Sequence, residues 1–361
     1  MTILDGIRQW VALESPTDNK AAVDRLVDHI QASLQALGAT VERIPVQGYG
    51  DHLRARWGGD GPGILLLSHI DTVWPVGSKP SYDEGDRAYG PGIYDMKGGA
   101  YLAYHAVKTL AASGRRPPLP LTMLFNSDEE VGSPTSRALI ESEALKNKYV
   151  LVFEPANLPG GAVKTWRKGW GRFTIKVRGR PAHAGADHAA GRSAIAELAR
   201  HILALEAMTD YDTGTTVNVG VVRGGTRLNV VPAEAEAEVD LRIASPAEAE
   251  RVVKAILGLQ PTRDGLQLEV AGGVNRGPLT REASAYLYDH ARRCAAELGF
   301  DLPETGSGGV SDGNLTAAVG VPTLDGLGVV GAGAHAMDEH LVISALEPRA
   351  ALILRLLETL A

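Results

Sequence analysis

Three short runs of apolar residues in this chain end on side chains that can bind a metal. The runs at 64–68, 121–127 and 149–153 are followed by His69, by the acids 128–130 and by Glu154. Continuous runs of this length are typical of buried strands in a mostly parallel sheet. Because ligands of such sheets bind beyond the carboxyl ends of the strands, we expect these side chains to meet at one sheet edge.

Helical patterns alternate with these strand patterns in the first part of the chain. Residues 20–38 carry apolar side chains at helical spacing and close on Gly38, and strand-like segments follow at 40–46 and 53–57. A helix rich in small residues begins at Gly98, which predicts close packing on the sheet. Strands alternating with helices predict an α/β domain whose sheet is mixed and mostly parallel.

The pattern changes after about residue 163. Polar and apolar residues then alternate in four segments, as expected of half-exposed antiparallel strands. The four segments are 172–178, 215–222, 234–243 and 266–270. Helical patterns near 190–208 and 246–258 give the order β-α-β-β-α-β, a ferredoxin-like α+β unit. We therefore predict one α/β domain formed by 1–163 and 275–361, with a second domain inserted at 164–274.

Composition excludes several classes of protein. The 361 residues carry a formal net charge of −7, which disfavours nucleic-acid binding. The one cysteine, Cys294, cannot form an intrachain disulfide and lies in a helical pattern, where we expect a buried structural thiol. We find no signal-peptide pattern and no apolar stretch of ~20 residues. The expectation is a cytoplasmic protein without a membrane partner.

Several polar residues around the strand ends are candidates for a metal site. His69 and Asp71 stand two apart, and a carboxylate behind a ligating histidine fixes its tautomer. Asp95 lies in a loop rich in glycine and proline, where it is either a helix N-cap or a carboxylate shared by two metals. A polar turn at a strand end is the competing interpretation for the first pair.

The remaining candidates are acids 128–130, Glu154 and His335. Among three consecutive acids, one carboxylate can bind a metal while its neighbour acts as a general base. Glu154 precedes Pro155, which ends the strand, and His335 is flanked by small residues. Each has an ordinary alternative, namely a solvated acidic loop, a surface acid or an isolated histidine. A chance coincidence of all of them is far less probable than any one alone.

Several segments together resemble the M20 metallopeptidases. The matching segments are 68–73, 90–99, 126–133, 153–155, 308–314 and 333–335. They occur in the order of the family and cover almost the whole chain. Within the family they are most similar to the bacterial glutamate carboxypeptidase (carboxypeptidase G2-like) branch.

The resemblance implies a catalytic domain that holds two Zn²⁺ ions per subunit, with Co²⁺ or Mn²⁺ as substitutes. His69 and Glu154 would share one ion, Glu130 and His335 the other, and Asp95 would bridge them. The resemblance also implies that Glu129 is the general base for a water that bridges the metals. Asp71 would be the carboxylate behind His69. The peptide bond after Asp95 is expected to be cis.

The resemblance also gives the inserted domain a role as a lid and dimerisation domain. His183, in the segment 179–185, would reach the site of the partner subunit of a homodimer and hold the substrate carbonyl. Asn229 and Arg242 match substrate-contacting positions, and Gly309 and Ser311 are further candidates in the segment 308–314. An arginine suits a terminal carboxylate because its planar fork binds both oxygens, although a solvated strand residue is the alternative for Arg242.

One departure concerns specificity. Glutamate carboxypeptidases carry a lid arginine where this chain has Thr215 and Thr216, and the nearby basic residues are Arg223 and Arg227. The predicted activity is hydrolysis of the amide bond to a C-terminal amino acid, with glutamate as one candidate, in a small peptide or N-acyl amino acid. The alternatives are an N-acyl-amino-acid deacylase, a dipeptidase of the same family, or a non-catalytic metal-binding protein, which the presence of Glu129 disfavours.

Overall fold

The computed structural model describes residues 2–361, within which there are seventeen strands and nine α-helices. The strands are β1 (Thr40–Ile44), β2 (His52–Trp57), β3 (Gly63–His69), β4 (Tyr82–Glu84), β5 (Arg87–Tyr89), β6 (Leu121–Asn126), β7 (Asn147–Val152), β8 (Ala156–Asn157), β9 (Val163–Arg167), β10 (Gly169–Arg178), β11 (Thr216–Gly224), β12 (Glu234–Ile243), β13 (Gln267–Arg276), β14 (Glu304–Ser307), β15 (Thr323–Leu324), β16 (Val330–Ala332) and β17 (His340–Val342). The helices are α1 (Ile3–Ala12), α2 (Lys20–Ala36), α3 (Lys97–Ser113), α4 (Arg137–Ala144), α5 (Ala194–Glu206), α6 (Pro246–Leu257), α7 (Arg281–Glu297), α8 (Gly313–Ala318) and α9 (Leu346–Thr359).

The chain divides into two compact units. The larger unit comprises the residues up to Trp166 together with Leu279–Ser307 and Ser311–Ala361. The inserted unit comprises Arg167–Pro278 and the short segment Gly308–Val310. The chain crosses between the units after residues 166 and 278, and again on either side of Gly308–Val310.

The main sheet of the larger unit has six strands in the order β1-β2-β6-β3-β7-β15. Strands β6, β3, β7 and β15 run parallel, and β2 and β1 extend the sheet antiparallel. This mixed, mostly parallel sheet confirms the predicted fold class. The apolar runs became its central strands because both faces of the sheet are covered.

Strand β3 shows why its apolar run is continuous. All seven of its residues are buried. Ile64 and Leu66 belong to a core beneath α1, α2, α3, α7 and α9, whereas Leu65 and Leu67 belong to a smaller core that includes residues of α4 and α8. Alternate side chains therefore enter two different cores, and a polar residue on either face would be buried without a partner.

Helix α3 packs closely on the end of β7, as its small residues predicted. A Cβ atom added at Gly99 would lie 2.0 Å from the carbonyl oxygen of Phe153, and one at Gly98 would lie 2.3 Å from that of Ile93. Any side chain at these two positions would push the helix away. The glycines thus allow α3 to approach the backbone that leads into Glu154.

A second sheet in the larger unit has five very short strands in the order β4-β5-β17-β16-β8. Strands β16 and β17 form an antiparallel pair, β17 also pairs antiparallel with β5, and β16 pairs parallel with β8. The sequence patterns did not indicate this sheet. Its strands of two or three residues are too short to show a period.

The inserted unit has the predicted order β10-α5-β11-β12-α6-β13. Its four strands form one antiparallel sheet in the order β11-β12-β10-β13, which is the ferredoxin-like arrangement. Alternate residues of β12 are buried in a separate core with residues of α5 and α6. Cys294 is buried in α7 of the larger unit, in agreement with the expectation.

Among residues 2–361, none of the helices combines the length and the apolar character needed to cross a lipid bilayer.

Candidate metal centre

The parallel strands deliver three of the predicted ligands to one edge of the main sheet. His69 is the last residue of β3, Glu130 lies in a 3-10 turn (Glu129–Val131) just after β6, and Glu154 follows β7 by two residues. Since β6, β3 and β7 are neighbours in the sheet and run in the same direction, their carboxyl ends lie side by side.

The five-stranded sheet brings the other two predicted ligands to the same place. Strand β5 leads into the loop that carries Asp95, and the turn between β16 and β17 carries His335. His335 has a φ of 62°, a left-handed conformation that non-glycine residues seldom adopt. Such conformations cluster at functional sites, where the surrounding structure maintains them. The bond between Asp95 and Met96 is cis, as the resemblance implied.

The two carboxylate oxygens of Asp95 face different histidines. Oδ1 lies 3.3 Å from Nε2 of His69, and Oδ2 lies 3.4 Å from Nε2 of His335. Each histidine has a second acid beside the same nitrogen. Glu154 Oε1 is 3.7 Å from His69 Nε2, and Glu130 Oε2 is 3.0 Å from His335 Nε2.

These distances suit the donor atoms of two metal ions. With zinc–ligand bonds of about 2.0–2.2 Å, neighbouring donors of a tetrahedral site are separated by ~3.3–3.6 Å. One potential donor atom each from His69, Asp95 and Glu130 lies within 4.8 Å of the others. In addition, Oε1 of Glu130 is buried and has no hydrogen-bond partner among the described residues. A buried carboxylate oxygen without a donor fits a site built for cations.

The protonation of the site reflects this concentration of negative charge. Burial raises the pKa of Glu130 to about 7. Hydrogen bonds to Asp95 and Glu130 raise the pKa of His335 to about 10. Burial opposes a charge on His69, but hydrogen bonds to Asp71 and Asp95 still raise its pKa well above the ordinary value. Protons therefore occupy the positions where metal ions would neutralise the carboxylates.

Asp71 supports both sides of the centre from behind. Nδ1 of His69 lies 3.1 Å from the main-chain oxygen of Asp71 and 3.5 Å from its carboxylate, so Nδ1 carries the proton and Nε2 offers its lone pair to a metal. The same carboxylate accepts the backbone N–H groups of Glu129 at 3.3 Å and of Glu130 at 3.2 Å. Thr17, which the sequence did not indicate, donates its hydroxyl to Asp71 at 2.8 Å.

The three consecutive acids have separate environments. Asp128 is fully buried and accepts hydrogen bonds from the backbone and hydroxyl groups of Thr135 and Ser136, so it organises the entry to α4. Glu130 faces His335, as described above. Glu129 lies beside it in the 3-10 turn and is half-buried.

Glu339 is a further residue of the site that sequence reasoning missed. Its fully buried carboxylate accepts the backbone N–H groups of Gly92, Tyr94 and Asp95 at 3.1–3.2 Å and the indole N–H of Trp74 at 2.6 Å. It therefore holds the loop that presents Asp95. The one available signal was an acid four residues after His335, which by itself is too common to notice.

In the inserted unit, the predicted lid histidine lies on an exposed loop. Nδ1 of His183 accepts backbone N–H groups from Gly185 at 3.1 Å and Ala186 at 3.0 Å. When the ring is neutral, the proton is therefore on Nε2, which is left as a donor. The loop pairs with the segment containing Asn229, whose carbonyl accepts the N–H of Ala184 at 3.0 Å.

Arg242 is engaged within its own strand. Its Nε and Nη2 contact the two carboxylate oxygens of Asp240 at 2.8 and 3.2 Å, and its guanidinium lies 5.9 Å from the ring of Trp170. The indole of Trp170 also donates to Asp240 at 2.8 Å. Nη1 reaches the carbonyl oxygen of Gly308 at 3.5 Å.

The remaining two predicted substrate contacts lie in different units. The main-chain oxygen of Gly309, in the inserted unit, accepts a hydrogen bond from Arg167 at 3.2 Å. Ser311, in the larger unit, is fully buried and donates its hydroxyl to Asp325 at 2.6 Å. Its backbone N–H donates to the side chain of Asn314 at 2.9 Å, so both hydrogen-bond donors of Ser311 already have partners.

Comparison with known proteins identifies the class to which this fold and site belong. A profile described as peptidase family M20/M25/M40 matches residues 65–359. The chain therefore belongs to the M20 peptidase family and is a hydrolase of the metallo-peptidase and amidohydrolase type, as the segments at the strand ends predicted.

Two relatives illustrate the range of the family. The chain is 31% identical over 366 residues to carboxypeptidase G2 of Pseudomonas sp. (strain RS-16), covering 98% of this chain and 88% of the relative. It is 31% identical over 323 residues to acetylornithine deacetylase of Myxococcus xanthus, covering 81% of this chain and 80% of the relative.

Among solved structures, the YXEP protein of Bacillus subtilis, described as a dinuclear metal-binding peptidase of the M20 family, has the same fold. The two chains superimpose with a TM-score of 0.73 at 17% identity, over 98% of this chain and 96% of the other.

Proposed function

We propose that this protein is a dinuclear metallo-carboxypeptidase that hydrolyses the amide bond to a C-terminal amino acid of a small peptide or N-acyl amino acid. The observation that carries the proposal is the arrangement of Asp95, whose two oxygens face the metal-binding nitrogens of His69 and His335. A carboxylate divided between two imidazoles, each with a further acid beside it, fits a bridging ligand of two metals.

In this proposal, His69 and Glu154 hold one Zn²⁺ and Glu130 and His335 hold the other, with Asp95 between them. Two divalent ions bound there would supply a water nucleophile at neutral pH and polarise the scissile carbonyl. Zinc is favoured by the mixed imidazole and carboxylate set, and Co²⁺ or Mn²⁺ are the expected substitutes.

Glu129 is proposed to act as general base and then as general acid. The peptide groups of Glu129 and Glu130 are bound to the same carboxylate of Asp71, so the base and the ligand are held by one anchor. Glu129 would take a proton from the attacking water and return it to the leaving amine, which leaves as the free amino acid. This step requires no residue to change its metal-binding role.

The inserted unit is proposed to bind the rest of the substrate. The tautomer of His183 supports a role as hydrogen-bond donor to the carbonyl oxygen, whose negative charge grows during attack. Arg242 would bind the terminal carboxylate of the substrate. The guanidinium group of Arg242 would then bind both the substrate and Asp240. Action of His183 in the site of a partner subunit, and hence a homodimer through the inserted unit, is part of the proposal.

We also propose that the released amino acid is glutamate and that the protein is cytoplasmic. Two activities of the family are candidates for the reaction. Carboxypeptidase activity is favoured because carboxypeptidase G2 aligns with nearly the whole chain. Deacylation of an N-acyl amino acid is the second candidate, favoured by the comparable identity to acetylornithine deacetylase. A panel of dipeptides, N-acyl amino acids and glutamate conjugates, measured as kcat/KM, separates the two.

The central test is Glu129→Gln. We expect full metal content and a kcat lower by about 10²–10⁴-fold, because the proton acceptor is lost while the ligands remain. Metal content is measured by elemental analysis, and kcat with the best substrate of the panel. Glu84→Gln, which changes an exposed glutamate of β4, is the matched control and should keep normal kcat. Normal turnover in Glu129→Gln would refute the proposed mechanism.

A further inference from the structure

The inserted unit contains a positively charged cavity that the proposed chemistry does not use. It has a volume of about 610 Å³, and its charged lining residues are Arg192, Arg200, Arg263 and Asp264, with His188 beside them. The whole chain has a formal net charge of −7. The three arginines around one cavity therefore make a locally basic region on an acidic protein. Such a local excess of positive charge attracts anions.

The walls of the cavity are held in place by hydrogen bonds. Glu197 of α5 is fully buried and accepts the backbone N–H and the hydroxyl of Thr262, both at 2.5 Å. Arg192 donates from Nε to the main-chain oxygen of Asp264 at 3.2 Å. The loop that carries Arg263 is therefore attached both to α5 and to the segment before it, and the site is pre-organised.

The arginines are incompletely neutralised. The hydrogen bonds of Arg192 go to main-chain oxygens of Ala189, Gly191 and Asp264, which do not cancel its charge. Arg263 is exposed and makes no hydrogen bond or ion pair within residues 2–361. Arg200 pairs with Glu197 at 3.2 Å. Two of the three arginines that line the cavity therefore have no acidic side chain bound to their guanidinium groups.

We propose that this cavity, the arginine pocket, binds a small oxyanion, either a phosphate or a carboxylate. Arg192 and Arg263 would bind its oxygens through their N–H groups, since the planar guanidinium matches both kinds of anion. Arg200, which is paired with Glu197, lines the same cavity from the second turn of α5. The first turn of the same 13-residue helix contributes its N-terminal dipole, with Ser193 and Ala196 in the lining.

The position of the arginine pocket links it to the histidine loop. Residues 188–192 form one wall, and the same loop begins at His183, whose main-chain oxygen accepts the N–H of Asp187 at 3.0 Å. Val231 lines the pocket and donates its N–H to Ala182 at 2.9 Å. A bound anion would therefore restrict the segment that presents His183 and change substrate affinity. This second step rests on the proposed function, whereas binding itself does not.

The test is calorimetric titration of the full-length, metal-loaded protein with inorganic phosphate and, separately, with glutarate. Arg263→Gln should weaken the binding of the preferred anion by about tenfold or more, because one charged pair of hydrogen bonds is lost. The fold should be intact because the exposed Arg263 side chain has no hydrogen bond or ion pair to lose. Arg178→Gln, an exposed arginine at the end of β10, is the matched control and should bind as the wild type does.

Anion bound directly to the metals would be the same in all three proteins, so it cancels in the comparison. Preference for phosphate or for glutarate distinguishes the two sources of the ligand. Equal binding in wild type and Arg263→Gln, or no binding of either anion at millimolar concentration, would overturn the proposal. In kinetic assays the anion should shift KM more in the wild type than in Arg263→Gln, because any anion bound at the metals shifts KM equally in both. If the protein lacks peptidase activity, the titration still decides on the pocket.

Discussion

At the scale of single residues, two carboxylates that are not proposed ligands hold the segments that carry the proposed ligands. Asp71 orients the ring of His69 and holds the peptide groups of residues 129 and 130. Glu339 holds the peptide groups of the Asp95 loop. Both carboxylates are fully buried, so the loss of any of their hydrogen bonds would destabilise the fold. Partners of this kind tune metal sites strongly.

The substitution Glu339→Gln tests this support. A glutamine has one acceptor oxygen and one N–H₂ group, so at least one of the four donors around position 339 would face another donor. We expect metal affinity to fall about 10–100-fold and kcat to fall at limiting metal, with little change in KM. Competition with a fluorescent chelator measures the affinity.

Trp74→Phe is the matched comparison for this test because it removes a single hydrogen bond to Glu339 and leaves the three backbone contacts. Its effect on metal affinity should be smaller than that of Glu339→Gln. Unchanged affinity in Glu339→Gln would mean that the Asp95 loop holds its position without this carboxylate.

The sequence predicted the proposed metal ligands better than the residues that hold those ligands in place. His69, Glu130 and Glu154 were visible because each follows an apolar run that could be assigned to a strand. Thr17 and Glu339 act through contacts with segments 54 and about 245 positions away in the chain. Neither run length nor spacing contains information on such long-range contacts.

At the scale of elements, the shortest strands were the ones that the sequence did not indicate. The ten-residue β12 begins and ends where the alternation placed it, and α2 differs from its predicted range only at the C-terminal end. The two- and three-residue strands β8, β16 and β17 gave no pattern, yet they position His335 relative to Glu154 and the Asp95 loop. Their stability comes from pairing with one another, which is a tertiary property rather than a local one.

An ion-pair network connects α2, β1 and the turn before β2. Asp51 contacts Lys20 at 2.5 Å and Arg43 at 2.6 Å and accepts the N–H of Val46 at 3.0 Å. We expect Asp51→Asn to lower the free energy of unfolding by about 1–3 kcal/mol, because these are charge-assisted bonds to a nearly buried group. Urea unfolding measures the difference, with the exposed Asp60→Asn as the control.

The pH dependence of this effect has a definite sign. Burial by itself would raise the pKa of Asp51, but hydrogen bonds from Lys20, Val46 and Arg43 lower it to about 2. A carboxyl with a lowered pKa stabilises the fold above its ordinary value of 3.8 and loses this contribution as the pH falls toward 2. The gap between wild type and Asp51→Asn should therefore narrow between about pH 5 and about pH 3. A gap that widens on acidification would contradict this account.

At the scale of the whole molecule, the proposed metal site and the inserted unit belong to different parts of the chain. All five proposed ligands belong to the larger unit, and the inserted unit has a core of its own. Metal binding should therefore stabilise only one of the two units. At a free metal concentration of about 100 times Kd, the stabilisation amounts to about 2.7 kcal/mol.

Chelation followed by hydrogen exchange tests this separation. Removal of metal should speed amide exchange in β16, β17 and the turn at residues 129–131, and leave β10, β12 and β13 unchanged. The effect should grow as the pH rises from about 6 to about 8. In the metal-free site, burial raises the pKa of Glu130 to about 7, and hydrogen bonds to Asp95 and Glu130 raise that of His335 to about 10. Protons thus take the place of the metals at low pH, whereas above about pH 7 the Glu130 carboxylate has lost its proton. Equal acceleration in both units, or an effect that shrinks with rising pH, would show that the stabilisation does not come from these ligands.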